Sequence, residues 1–226
     1  MANLIAVSGA SGSGKSSSIR TLNPAETFII NVASKPLPFK GWRSKYKTWN
    51  KTNPDGNFIN TSDISVIGSI LNYINTKRPE IKNVIVEDSQ YLMGFEAMER
   101  ASEKGYAKFT EIAQKFYSIL KMGVTMRDDL NLIMLCHSEN VGDSDNPQWK
   151  IKTIGKMLDN TITIEGLFTY VFFAEIHRMD DGKVDYVFQT HSDGTTTAKS
   201  PMGCFEEDYI PNDLQYVIDK IAEYDA

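Results

Sequence analysis

The chain is short of the residues that staple a fold or carry it through a membrane. Only two cysteines, Cys136 and Cys204, occur in 226 residues, which excludes a disulfide framework and leads us to expect two reduced thiols. No apolar stretch approaches the roughly 20 residues of a membrane helix. The first apolar run, Leu4-Ile5-Ala6-Val7, is brief and has no cationic segment before it, so neither a signal peptide nor a membrane contact is expected, and a cytoplasmic location is. Arginine is sparse: six occur, at 20, 43, 78, 100, 127 and 178, and none are adjacent. That argues against the arginine-rich lid with which small-molecule kinases shield phosphoryl transfer from water. No N-K-x-D segment occurs, which disfavours a guanine-specific switch. The net charge of −5 excludes a surface coated for DNA binding but leaves room for a local basic site. No fixed-period repeat is present, nor any low-complexity tract beyond a Ser-rich loop.

That loop is the most informative segment present. Gly9-Ala10-Ser11-Gly12-Ser13-Gly14-Lys15-Ser16 matches G-x-x-x-x-G-K-[ST] in full. Glycines let backbone N–H groups approach phosphates closely, Lys15 brings a charge to the β and γ phosphates, and the Ser16 hydroxyl can ligate Mg²⁺. A buried strand at residues 4–7 precedes the loop. A helix expected over 16–22 would carry Ser17 in its first turn and aim its positive end at the ligand. A nucleoside triphosphate and Mg²⁺ are what this pattern calls for.

Strands and helices then alternate, which predicts one α/β domain over 1–226 with a mostly parallel sheet covered by helices. Strands are expected at 27–32, 83–87 and 132–136. An antiparallel pair is expected at 167–176 and 184–190 around the Asp180-Asp181-Gly182 turn. Helices are expected at 63–76 with Asp63 as N-cap, through 90–127 with a break near Gly105, and at 211–224.

Two strand ends carry further chemistry. Val84-Ile85-Val86 leads into Glu87-Asp88-Ser89, placing a carboxylate pair where a nucleotide-bound Mg²⁺ needs a second anchor. Either Glu87 holds the metal with Asp88 as base, or Asp88 holds it while Glu87 orients water; a helix N-cap is the plain alternative. The strand at 132–136 ends in His137-Ser138-Glu139, where His137 could sense the γ-phosphate or place the hydrolytic water, or simply hydrogen-bond a nearby carbonyl.

No acidic residue occurs between Glu26 and Asp55, whereas Lys35, Lys40, Arg43, Lys45, Lys47 and Lys51 do, interleaved with Phe39, Trp42, Tyr46 and Trp49. Cations for a phosphate backbone with rings for exposed bases would suit single-stranded nucleic acid, with Lys40, Trp42, Arg43, Lys45, Lys47 and Trp49 as contacts. The alternative is a solvated loop whose rings pack on the core.

Together, the phosphate loop, Glu87-Asp88-Ser89, the His137 strand end, Lys35-Pro36-Leu37-Pro38-Phe39-Lys40 and the tail Lys199-Ser200-Pro201-Met202-Gly203…Ile210-Pro211-Asn212-Asp213-Leu214 resemble phage-encoded ATPases with a RecA-like core. Some of these are single-strand annealing recombinases. The resemblance spans nearly the whole chain. It implies a RecA-like P-loop domain with helices on both faces of the sheet, hydrolysing ATP on single-stranded DNA during phage recombination or replication in the host cytoplasm. It also implies a homo-oligomeric ring or filament, a phage nuclease or single-strand-binding protein as possible partner, and Asp88 as the metal ligand. In that assembly mode Lys199 would cross to the neighbouring subunit's γ-phosphate; Pro201 stands where related proteins often have arginine. RecA-type enzymes place a catalytic glutamate after the strand near Ile29. Here Asn31, Ser34 and Lys35 follow it, so Glu87 or Glu139 must substitute or hydrolysis is slow. A small-molecule phosphotransferase and a nucleotide-gated DNA-binding module without turnover are the alternative readings.

Overall fold

The structure is a computed structural model that describes residues 1–154, 158 and 161–226. Its first strand, β1 (Asn3–Gly9), is apolar at consecutive positions because both of its faces are covered. Leu4 and Ala6 face one core and Ile5 and Val7 the other.

The remaining strands are β2 (Thr27–Asn31), β3 (Phe58–Asn60), β4 (Asn83–Glu87), β5 (Asn131–Asn140), β6 (Trp149–Ile151), β7 (Tyr170–Arg178), β8 (Val184–Gln189) and β9 (Tyr209–Pro211). They form one mixed, mostly parallel sheet in the order β3-β2-β4-β5-β1-β7-β8-β9, with β6 antiparallel to the end of β5. The expected hairpin is present: β7 and β8 are antiparallel, and β9 extends the pair.

The helices include α1 (Trp42–Lys45), α2 (Ile64–Lys77), α3 (Tyr91–Glu99), α4 (Ala107–Val124) and α5 (Leu214–Asp225). One face of the sheet packs on α2, α3 and α4 through residues such as Ile67, Leu71, Leu92, Phe116 and Leu120. The other packs on Ile19, Leu22 and Tyr46 and on α5 through Leu214, Val217 and Ile221. Asp63 caps α2, its carboxylate accepting from the Ser65 and Val66 N–H groups. Gly105, at φ +88°, separates α3 from α4. No helix among the described residues is long and apolar enough to cross a membrane.

Two expectations are corrected, and three strands were not anticipated. The segment after the phosphate loop is a six-residue 3-10 turn, Ser16–Thr21, rather than a full α-helix; three serines begin it and Asn23-Pro24 follows, a poor context for propagation. The last helix starts at Leu214, because Ile210 and Pro211 pair with β8 and Asp213 caps the helix by accepting from the Tyr216 N–H. The short strands β3, β6 and β9 had no recognisable pattern, since three residues are too few to show alternation.

Candidate functional site

Parallel register brings the carboxyl ends of several strands to one edge. Gly9 of β1 lies opposite His137 of β5, and Glu87 of β4 opposite Asn31 of β2. A cleft of about 550 Å³ opens there. Its floor is the loop 11–17, one wall carries Lys35, Pro36, Phe39, Asp88 and His137, and the other carries Arg20, Tyr186 and Asn212. A larger groove of about 1020 Å³ between α2, α3 and α4 contains none of the motif residues.

The loop's glycines are required by space and by backbone. A Cβ on Gly9 would meet Ala174 O and Ser13 Oγ at 2.7 Å. Gly14 has φ +96°, and a Cβ there would meet Tyr186 Cδ1 at 2.8 Å and Asn212 Nδ2 at 3.0 Å. Ala10, Ser11 and Gly12 are exposed at the loop's tip, whereas Ser13 is buried and Ser16 and Ser17 are half-buried. Lys15 is buried, its ammonium donating to Gly9 O at 2.8 Å and Ala10 O at 2.7 Å. Burial holds its pKa below the ordinary lysine value, against the opposing charges of Glu87 and Asp88.

The two carboxylates separate. The Ser16 hydroxyl donates to Glu87 Oε1, and Glu87 Oε2 is buried with no hydrogen-bond partner among the described residues. Burial first, then the Asp88 charge, raises the Glu87 pKa to about 7. Asp88 instead faces the cleft wall: Lys35 Nζ lies 2.5 Å from Oδ2, and His137 Nε2 lies 3.8 Å from Oδ1. Asp88 and Ser34 are the only non-glycine residues with positive φ among those described, +57° and +55°; one belongs to this ion pair and the other precedes Lys35. Burial and the Lys15 charge depress the His137 pKa, which keeps the imidazole neutral near pH 7. Burial alone would lower Lys35, but its bond to Asp88 outweighs this and holds the ammonium above its ordinary value.

Ser16, which lines the cleft, and Glu87, buried behind it and not itself part of the lining, therefore form an oxygen pair with one carboxylate oxygen unpartnered. This suits a hard cation that keeps waters and takes its other ligands from phosphate. Among the described residues no group of three or more His, Cys, Asp or Glu forms a cage that could bind a metal unaided.

Other expected residues lie elsewhere. Glu139 reaches towards Lys150 of β6, 3.8 Å away, and does not line the cleft. Lys199 is half-buried, its backbone paired with Val171 of β7, and is also outside the cleft. In the basic segment Lys40, Arg43, Lys45 and Lys47 are exposed. Trp49 turns inward, its ring centroid 6.4 Å from Phe28 and 5.8 Å from Tyr73. Trp42 is half-buried against Phe58, with the Arg43 guanidinium 4.6 Å from its ring centroid.

Sequence reasoning did not single out Arg20, Tyr186 and Asn212 as cleft residues. No local pattern marks them, because long-range strand order brings β8 and the residue after β9 to the loop. Neither a family model nor a curated protein matches this chain.

Proposed function

We propose that the protein is a Mg²⁺-dependent nucleoside triphosphatase of RecA-like type that acts on single-stranded DNA. The observation that carries this reading is the convergence, at one sheet edge, of a full phosphate-loop motif with a buried lysine, a Ser16–Glu87 oxygen pair and the Lys35–Asp88–His137 cluster. Ser16 and Glu87 are the residues that would hold Mg²⁺, which would supply neutralisation of the phosphate charge. Lys15 leaves its two carbonyl partners for the phosphates, and Lys35 adds a second cation from the same chain.

In the reaction, a water oxygen forms a bond to the terminal phosphorus. The bond to the bridging oxygen breaks, and the diphosphate leaves with that electron pair. The neutral imidazole of His137 accepts the water proton at Nε2, and Asp88 stabilises the resulting imidazolium. The exposed cations Lys40, Arg43, Lys45 and Lys47, of which Lys45 Nζ donates to the carbonyl of the cleft residue Arg20 at 3.5 Å, support contact with a nucleic-acid backbone.

Phosphate release with and without single-stranded oligonucleotide tests the reading. Stimulated release is expected. Transfer to a small-molecule acceptor would make the protein a kinase instead, and nucleotide binding without release would make it a gated binding module.

A further inference from the structure

We propose that Asn212 reads the base of the bound nucleotide and selects adenine; this rests on the nucleotide-binding reading above. Asn212 is 3% exposed, and neither its Nδ2 nor its Oδ1 has a hydrogen-bond partner among the described residues. A buried carboxamide with both ends unpaired is costly unless something completes it. The residue lines the cleft directly beside the phosphate loop, since a Cβ on Gly14 would lie 3.0 Å from its Nδ2.

Its backbone is fixed on both sides. The Asn212 N–H donates to Tyr186 O at 3.1 Å, Arg20 Nη1 donates to Asn212 O at 3.1 Å, and the next residue caps α5. The backbone is therefore fixed, and the side-chain amide is confined by its burial.

Direction follows from strand order. Lys35, Asp88 and His137 belong to the β2–β4–β5 side of β1, whereas Tyr186 and Asn212 belong to the β8–β9 side. A nucleotide with its terminal phosphate at the first group extends its sugar and base towards the second. Tyr186, 47% exposed, flanks the amide and loses little packing by swinging aside to admit a ring.

A carboxamide offers one donor next to one acceptor. Adenine complements both through its N6–H and N7 edge; on that edge guanine presents two acceptors and leaves Oδ1 unpaired, so the selection proposed has the base enter by this edge rather than by the edge on which guanine offers O6 and N1–H. Adenine thus satisfies both buried atoms.

The test is calorimetric binding of ATP, GTP and inorganic tripolyphosphate, each with Mg²⁺, to the wild-type chain, Asn212→Ala and Asn212→Asp. Wild type is expected to prefer ATP over GTP. Asn212→Ala should lose about 5- to 150-fold in ATP affinity, the range for one bidentate base contact, while keeping its tripolyphosphate affinity. Asn212→Asp, nearly isosteric, should lose ATP affinity as well, because N7 then lacks a donor. Since the amide is unpaired, Asn212→Ala should melt no lower than wild type without ligand. Equal losses for ATP and tripolyphosphate would make Asn212 a brace for the phosphate loop, and unchanged ATP affinity or a wild-type preference for GTP would likewise overturn the proposal. Failure of the wild type to bind ATP, GTP or tripolyphosphate would instead remove the nucleotide-binding reading on which it stands.

Discussion

Lys15 and Glu87 are both buried, and each depends on ligand charge in a different way. Lys15 has exchanged water for two carbonyls that a phosphate can replace. Lys15→Ala is expected to lower turnover by about 10²–10³-fold, the usual effect of deleting one transition-state charge partner, while the backbone cradle keeps part of the affinity. Steady-state phosphate release checks this. Glu87 has a pKa near 7 against an ordinary 4.5, so the folded chain holds a proton that the unfolded chain releases. The ligand-free protein should therefore lose stability as pH rises from about 4.5 to about 7, by on the order of 1–3 kcal/mol, and then level off. Melting curves of wild type against Glu87→Gln isolate this slope, which the variant should lack. Ser16 contacts Glu87 and not Asp88, so Glu87→Gln should also raise the Mg²⁺ requirement more than Asp88→Asn does. The reverse order would return the metal to Asp88, the residue that the family resemblance favours.

At the scale of elements, the basic segment around α1 divides into two sets of residues. Its cations are exposed, but its larger rings serve the core. Trp49→Ala should destabilise the fold by about 3 kcal/mol, at the low end for a tryptophan that packs on Phe28 and Tyr73, and denaturant melts measure it. If Lys40, Arg43, Lys45 and Lys47 each meet a phosphate, the salt slope for a single strand is about −3. Replacing Lys45 and Lys47 with alanine should make it shallower by about 1.4 without moving the melt, and an unchanged slope would return the segment to a solvated loop. The same division shows how far the sequence can be read. The phosphate loop, the principal strands and α2 with its Asp63 cap were legible because local rules fix them: glycine spacing, consecutive apolar residues and a capping carboxylate. The orientation of Trp49, the exchange of partners between Glu87 and Asp88, and the presence of Asn212 in the cleft were not. Each depends on which strand lies next to which, and nothing within a few residues of these positions encodes that.

For the whole molecule, the question is whether one chain completes the site. Lys35 already reaches the Asp88 side of the cleft from within the chain, while Lys199 stands outside it, its backbone paired with Val171 of β7. Lys35→Ala is thus expected to lower turnover more than Lys199→Ala. Activity per chain should hold constant on dilution in the absence of DNA. An inter-subunit finger would contribute about 10³–10⁵-fold, so a loss of that size in Lys199→Ala, rescued by mixing with Lys15→Ala chains, would make the neighbour's lysine the essential cation.

The central place of β1 also sets an order of events at the ribosome. Its two neighbours are β5 and β7, which begin at Asn131 and Tyr170, so the strand that bears the phosphate loop has no partner when it first emerges. At about 5–20 residues per second, some 7–26 s pass before the first of those partners has been synthesised. Until then Leu4-Ile5-Ala6-Val7 is an unpaired apolar edge, a natural client for a chaperone. A nascent chain halted before β5 should therefore fail to retain nucleotide even though its entire phosphate loop has been translated.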